Sequence, residues 1–287
     1  MLQSRFIIIS TFLIISCKSN SQDYGELEYL LSLPKHINEC SGISLASEKD
    51  HLFLINDSGN EPILHNLNLT TSTTVQKNFP KGITNVDWED LAYKNDTIFI
   101  GDFGNNANKR KDLKIYWIPP GKTENTLETT NFKLQDQHEF PPSKKQLNFD
   151  IEAFIYFQNH FYLFSRNRSK DFDGLVKVYR LPALPGNQQT ELIDTFVPCE
   201  DPRDCQITGA AIHQPSKKIA LLSYNKVWIL KDFNSDKFFS GSIQKIKLNH
   251  YSQKESICFK DEYTLYISEE KSRKSQGNLY LLDLEKD

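Results

Sequence analysis

Five oxygen-bearing side chains occupy one position of a repeated pattern: Ser41, Glu89, Glu152, Thr208 and Glu255, at intervals of about 47 to 63 residues. Each opens a short apolar run: GISL follows Ser41, DLAY Glu89, AFIYF Glu152, GAAI Thr208 and SICF Glu255. Three of the five are carboxylates. If the fold brings them within a few ångströms, each raises its neighbours' pKa until a cation neutralises them. Three glutamates with hydroxyl or carbonyl oxygens from Ser41 and Thr208 make a hard-oxygen set suited to Ca2+, which takes about 6–8 oxygens. No His or Cys stands at this position, so zinc and copper are poor matches. The alternative is structural: residues at strand starts that hydrogen-bond the backbone of the neighbouring repeat.

A second set follows from the same repeat. The residues that end the second run of each unit return to the end where the first run began. They are Asp57 with Asn60, Asp102 with Asn105 and Asn106, Arg166 with Arg168, Tyr224 with Asn225, and Glu269 with Glu270. Beside a divalent cation this mixed set suits a small anionic ligand, with arginines pairing its oxygens and the cation polarising it. The competing reading takes NDSGN and GDFGNN as tight turns, where Asn, Asp and Gly are favoured. SRNRS has no turn-forming reason to be basic. No catalytic set emerges from the seven histidines, and GxSxG, HExxH and Walker-type loops are absent from the sequence.

These positions need elements to hold them. The clearest unit has a run from Glu89 to Tyr93, a turn at Lys94 to Asp96, a second run from Thr97 to Gly101, a polar loop, and an alternating run from Leu113 to Ile118. Similar units start at Asp150 and Lys254, and looser ones at Ser41 and Thr208. The interval suits a four-stranded β-propeller blade, so five copies predict an all-β, five-bladed β-propeller in one domain, residues 24–287. Fourth strands are expected at Thr71 to Phe79, Leu127 to Gln135, Gln188 to Val197 and Ser242 to Asn249. The fifth copy stops at Leu284 without one. Gly25 to Leu33 alternates correctly and is expected to close the ring by covering the last blade's open edge. The first strand of each blade lines the channel in such a ring, which turns the five recurring residues toward one axis.

Composition agrees. The chain has 19 Phe and 12 Tyr but one Met, as expected of aromatic-rich strands. Its net charge is −3 and neither sign forms long blocks, which argues against binding a nucleic-acid polymer.

Residues 1–16 read as a signal peptide, with an apolar run from Phe6 to Ile15 too short to span a membrane. Leu13 to Cys17 resembles a bacterial lipobox. Cys17 is then the lipidated residue, residues 17–23 are a tether, and the protein is expected in the cell envelope as a monomer anchored to a membrane. Cys199 and Cys205 bracket CEDPRDC and are expected to form a disulfide in that oxidising compartment. Cys40 and Cys258 fall on the first strands of the first and last repeats. Buried thiols are the default for them, and a bridge stays open.

The order Ser, Glu, Glu, Thr, Glu, one per blade and each before a short apolar strand, resembles the five-bladed calcium-activated apyrase fold. It resembles still more the SdiA-regulated (YjiK-like) family of exported five-bladed propellers, over nearly all of the mature chain. The resemblance implies a Ca2+ in the central channel held by Ser41, Glu89, Glu152, Thr208 and Glu255. Thr208 stands where apyrases carry Ser, and either can offer a hydroxyl or carbonyl oxygen. Two functions follow. One is a non-enzymatic Ca2+-binding propeller that presents its channel mouth to a ligand or protein partner. The other, implied by the apyrase likeness, is a Ca2+-dependent phosphohydrolase acting on nucleotides or another phosphoester. Apyrase nucleotide-binding positions find only SRNRS as an echo here, and the binding protein is the expectation carried forward.

Overall fold

The computed structural model describes residues 23–79, 82–119, 127–273 and 276–286. Residues 1–16, expected to be a signal peptide, and Cys17 lie outside the described residues. Five small, mainly antiparallel sheets are arranged in a ring. β1 (Glu28–Ser32) comes first in sequence but last in the ring. Blade one holds β2 (Cys40–Leu45), β3 (His51–Asn56), β4 (Ile63–Asn68) and β5 (Thr73–Asn78); blade two holds β6 (Trp88–Lys94), β7 (Thr97–Asp102), β8 (Lys114–Ile118) and β9 (Glu128–Lys133). Blade three is built from β10 (Asp150–Phe157), β11 (His160–Arg166), β12 (Val176–Pro182) and β14 (Glu191–Phe196), with β13 (Gly186–Gln189) just before its last strand. Blade four follows as β15 (Gly209–His213), β16 (Lys218–Leu222), β17 (Lys226–Lys231) and β18 (Ser242–Lys247). Blade five is β19 (Lys254–Phe259), β20 (Thr264–Glu269) and β21 (Asn278–Asp283), completed by β1. The one helical segment among the described residues is a single 3-10 turn, Phe238–Ser240.

Innermost strands meet around the axis: β2 packs on β6, β6 on β10, β10 on β15, β15 on β19, and β19 back on β2. β1 pairs with β21 from Glu28 opposite Leu281 to Ser32 opposite Asn278, so the first strand closes the last blade as expected. Asn95 and Asp96 (φ 49° and 59°) turn β6 into β7, and Gln158 and Asn159 (φ 49° and 61°) turn β10 into β11. Two consecutive left-handed residues give a hairpin whose twist matches its strands.

The core is divided into five wedges, each between neighbouring blades. Between blades two and three, Phe99 stacks on Tyr156 at 5.3 Å and meets the edge of Phe161 at 5.1 Å. Flat, twisted sheets packed face to face need bulky side chains to fill the widening gap away from the axis, which accounts for the aromatic content.

One expectation is revised. Gln188 to Val197 does not form one strand. Residues Gly186–Gln189 pair in parallel with β9 of blade two, and only Glu191–Phe196 joins blade three. Thr190 sits at the crossover, its N–H and Oγ1 both donating to the Lys133 carbonyl, at 3.1 and 3.2 Å. The connector thereby covers the outer edge of blade two. Cys199 and Cys205 are disulfide-bonded with Cα atoms 5.4 Å apart, whereas Cys40 and Cys258 are free thiols buried in the wedge between blades five and one.

Ring closure depends on β1 packing into that same wedge through Leu31, which is buried against Leu279 and its neighbours. Leu31→Ala is expected to lower unfolding stability by about 2–5 kcal/mol, and Val75→Ala, on the 72% exposed face of β5, by less than about 0.5 kcal/mol. Denaturant unfolding of both variants checks the difference; equal stabilities would show that β1 does not close the ring.

Candidate metal centre at the channel mouth

The recurring residues reach the channel through a shared backbone defect. The register of the first hairpin slips between Cys40 and Gly42, between Trp88 and Asp90, between Ile151 and Ala153, and between Lys254 and Ser256. The residues skipped by the ladder are Ser41, Glu89, Glu152 and Glu255. A β-bulge leaves one residue unpaired and re-aims its side chain. In blade four the strand begins at Gly209, and Thr208 is held just ahead of it by its N–H bond to Leu222 O, 2.9 Å. All five are at most 6% exposed.

The bulges converge. One carboxylate oxygen from each of Glu89, Glu152 and Glu255 lies within 4.8 Å of the other two. Ser41 Oγ is buried and has no hydrogen-bond partner. Thr208 Oγ1 donates to Lys254 O at 2.6 Å, tying blade four to blade five and leaving its own lone pairs free. The strand-start alternative therefore holds for the Thr208 proton but not for the carboxylates.

A second tier lies two residues earlier in the chain, at or just before the start of each inner strand: Glu39, Asp87, Asp150, Gln206 and Gln253. Sequence reasoning missed it, although the signal was available as an acid or amide in every repeat at a spacing of two, the strand period. Asp57, Asp87 and Glu89 form a second acidic triad, again with one oxygen from each within 4.8 Å of the others. Gly104, from GDFGNN, explains how these groups fit. Its φ is not left-handed, so it is not a turn requirement. A Cβ there would lie 2.1 Å from Glu89 Oε1 and 2.5 Å from Asp87 Oδ2, so only glycine leaves room for both carboxylates.

The arginine pair is engaged within the site. Arg166 Nη1 donates to Glu152 Oε2 at 2.9 Å and lies 3.9 Å from Glu255 Oε1, while its Nε bonds Gln206 Oε1 at 3.1 Å. Arg168 grips Asp150 Oδ2 and Glu152 Oε1, both at 2.7 Å. Tyr224 links the two sides: its hydroxyl donates to Glu255 Oε1 at 2.7 Å and accepts from Arg166 Nη2 at 3.0 Å. The guanidinium fork expected to meet an anionic ligand is thus occupied by carboxylates.

The other mouth positions divide. Asp57 lies in the site. Asn60 is a turn residue, its Nδ2 bonding Glu39 Oε2 at 2.6 Å and Asp57 O at 3.1 Å. Asp102 is buried and bound to Arg110 Nη2 at 2.8 Å. Asn105 is a strut between blades two and three: its N–H donates to Asp150 Oδ1 at 2.6 Å and its Nδ2 to Phe149 O at 3.2 Å. Asn106 is exposed and takes no part. Asn225 is buried with Oδ1 unpartnered, and Glu269 accepts from Asn278 Nδ2 at 2.6 Å. Glu270 Oε2 accepts from Gln253 Nε2 at 3.1 Å.

Crowded buried carboxylates resist ionisation. Burial, then Glu152 and Asp57, push Glu89 well above the ordinary range. Burial and Glu152 likewise raise Glu255, and burial with neighbouring acids lifts Asp57 to about 7 and Glu270 to about 9. Glu152 behaves oppositely: burial would raise it, but Arg166 and Arg168 together hold it below its usual value. Glu89 has neither an ion pair nor a hydrogen bond among the described residues. An all-oxygen donor set, an orphaned Ser41 hydroxyl, an unpaired buried Glu89 and a glycine cradle together fit a hard divalent cation. The opposite end of the channel differs. A cavity of about 280 Å3 there is lined by residues such as Ile43, Leu91, Phe154 and Ile257, and no carboxylate lines it.

No family model matches the chain, and no curated protein matches it. Among solved structures, it is similar to the PQQ-bound form of an aldose sugar dehydrogenase from Streptomyces coelicolor, with a TM-score of 0.51 and 7% identity over 90% of this chain and 98% of that one. A glucose dehydrogenase aligns with a TM-score of 0.47 and 9% identity over 89% and 98% of the two chains. A nidogen/laminin complex gives 0.46 and 10% identity over 86% of each. At such identities the likeness concerns the fold alone, and the chain has the β-propeller fold.

Proposed function

We propose that this protein is an exported, lipid-anchored propeller, of the kind found in the SdiA-regulated family, that binds Ca2+ in the upper mouth of its channel. It presents that mouth to a small anionic ligand or a protein partner and catalyses no reaction. The observation that carries this reading is the convergence of Glu89, Glu152 and Glu255 beside the unpartnered Ser41 hydroxyl. Three buried carboxylates facing only Arg166 and Arg168 among the described residues keep an excess of negative charge, which is unfavourable unless further positive charge arrives. Ser41, Glu89, Glu152, Thr208 and Glu255 would hold the ion. When bound, it would neutralise the glutamates and leave open coordination positions for a ligand's oxygens. The Cys199–Cys205 disulfide supports an oxidising compartment.

The phosphohydrolase reading finds less support. Phosphoryl transfer relies on free cationic groups around the transferring oxygens. Arg166 and Arg168 are both bound to carboxylates. Phosphate release from nucleoside di- and triphosphates and a phosphoester panel, measured with Ca2+ and with chelator, is expected to stay at background. Turnover that chelator and Arg166→Ala both abolish would establish the enzyme instead.

Calcium at about 100 times its Kd adds about 2.7 kcal/mol to stability, or roughly 5–10 °C in melting temperature for a chain this size. Chelation is expected to remove that increment, and Glu89→Gln to make the melting curve insensitive to both calcium and chelator. An unchanged wild-type curve would leave the carboxylates a purely structural role.

A pH dependence follows from the raised acids. A carboxyl whose folded pKa exceeds its unfolded value holds its proton more tightly when folded, so its stabilising contribution falls as pH rises from about 4 toward the folded pKa. With Asp57 at about 7 and Glu270 at about 9, the metal-free protein is expected to melt at progressively lower temperature between pH 5 and pH 9. Saturating calcium, which favours the ionised forms, should flatten that slope. Calorimetry across the range decides it; a metal-free protein that gains stability toward pH 9 would contradict the assignment.

A further inference from the structure

The two acidic triads share Glu89, but they are not equivalent. The axial one, Glu89–Glu152–Glu255, already has Arg166 2.9 Å from Glu152 and 3.9 Å from Glu255. The other, Asp57–Asp87–Glu89, lies between blades one and two and has no ammonium or guanidinium within ion-pairing distance among the described residues. The nearest guanidinium in the sequence order of that blade, Arg110, is committed to Asp102 Oδ1, Asp112 Oδ1 and Gly104 O, at 2.8, 3.1 and 2.9 Å.

We propose that the mouth binds a second Ca2+, held off the axis by Asp57, Asp87 and Glu89, with the Glu89 carboxylate bridging it to the axial ion.

An acidic cluster alone would not establish such a site. Glu89 supplies the further observation. It is only 3% exposed, its side chain has no hydrogen bond or ion pair among the described residues, and it directs Oε1 to the same point above Gly104 that Asp87 Oδ2 reaches. Beside this pair, Asp102 accepts the Asp87 N–H through Oδ1 at 3.2 Å, and its Oδ2 is buried and unpartnered. A buried ionised carboxylate without a partner costs several kcal/mol in a protein. Placing two acids from adjacent blades against it adds to that cost unless a cation lies between them. Two metal ions held about 3.5–4 Å apart in one site are an established arrangement.

This inference rests on the axial calcium reading, and the experiment separates the two. Purified full-length mature protein is equilibrated with CaCl2, and bound calcium is measured by isothermal titration and by elemental analysis after dialysis. Two ions per chain are expected, falling to one in Asp87→Asn and in Asp57→Asn, with the remaining ion retaining its affinity within about threefold. Near-ultraviolet circular dichroism checks the fold of each variant, and if Asp87→Asn does not fold, the partly exposed Asp57 position carries the test. One ion per wild-type chain, or two that neither variant reduces, overturns the second site and leaves the axial one. No bound calcium overturns both.

Discussion

The structure depends on buried carboxylates being held closer together than they would choose. Glu89, Glu152 and Glu255 come from blades two, three and five, so no local hydrogen-bonded turn brings them together. Their meeting is imposed by the ring. Each bulge turns one side chain inward, and the packing of innermost strand on innermost strand sets how far apart the bulges sit. The repulsion that results is opposed by the five apolar wedges, which bury most of the large side chains. The wedges hold the geometry, and the centre carries the electrostatic strain.

That division makes the site a property of the closed ring and not of any blade. No single repeat contributes more than a few donors, and an unfolded chain would scatter them. Binding of an ion there would therefore be coupled to folding, as in other sites that do not exist in the unfolded state. The same coupling would give β1 a part in the site at a distance. By completing blade five it fixes β19, and hence Glu255, against β2 on one side and β15 on the other.

Much of this was legible in the sequence because it is periodic. A strand–turn–strand unit repeated five times gives blades, and one position recurring across them gives the inward column. The N-terminal alternation of Gly25 to Leu33 likewise announced the closing strand. Most of what stayed hidden was not periodic. The split of Gln188 to Val197 turns on Thr190 bonding a carbonyl in another blade, a contact without a local pattern. Gly104 looked like a turn residue because turns are the commonest use of such glycines, whereas its role is to admit Glu89 and Asp87. The second tier at Glu39, Asp87, Asp150, Gln206 and Gln253 was periodic but mixed in chemistry, so acids and amides did not register as one column. The commitment of Arg166 and Arg168 could not be read at all, since basic residues two apart on a strand end face outward or inward depending on the bulge opposite.

A cation at the centre would share ligands with the arginines and not compete for them. Both Glu152 oxygens already accept from guanidinium groups, Oε2 from Arg166 and Oε1 from Arg168, yet each carboxylate oxygen has two lone-pair directions. An axial ion bound to the remaining ones would sit beside Arg166, and Tyr224 would tie that arginine to Glu255 on the far side. An anion reaching the ion from the mouth would then find guanidinium groups already in place and already neutralised. Moving onto a developing negative charge would require each arginine to release a buried carboxylate.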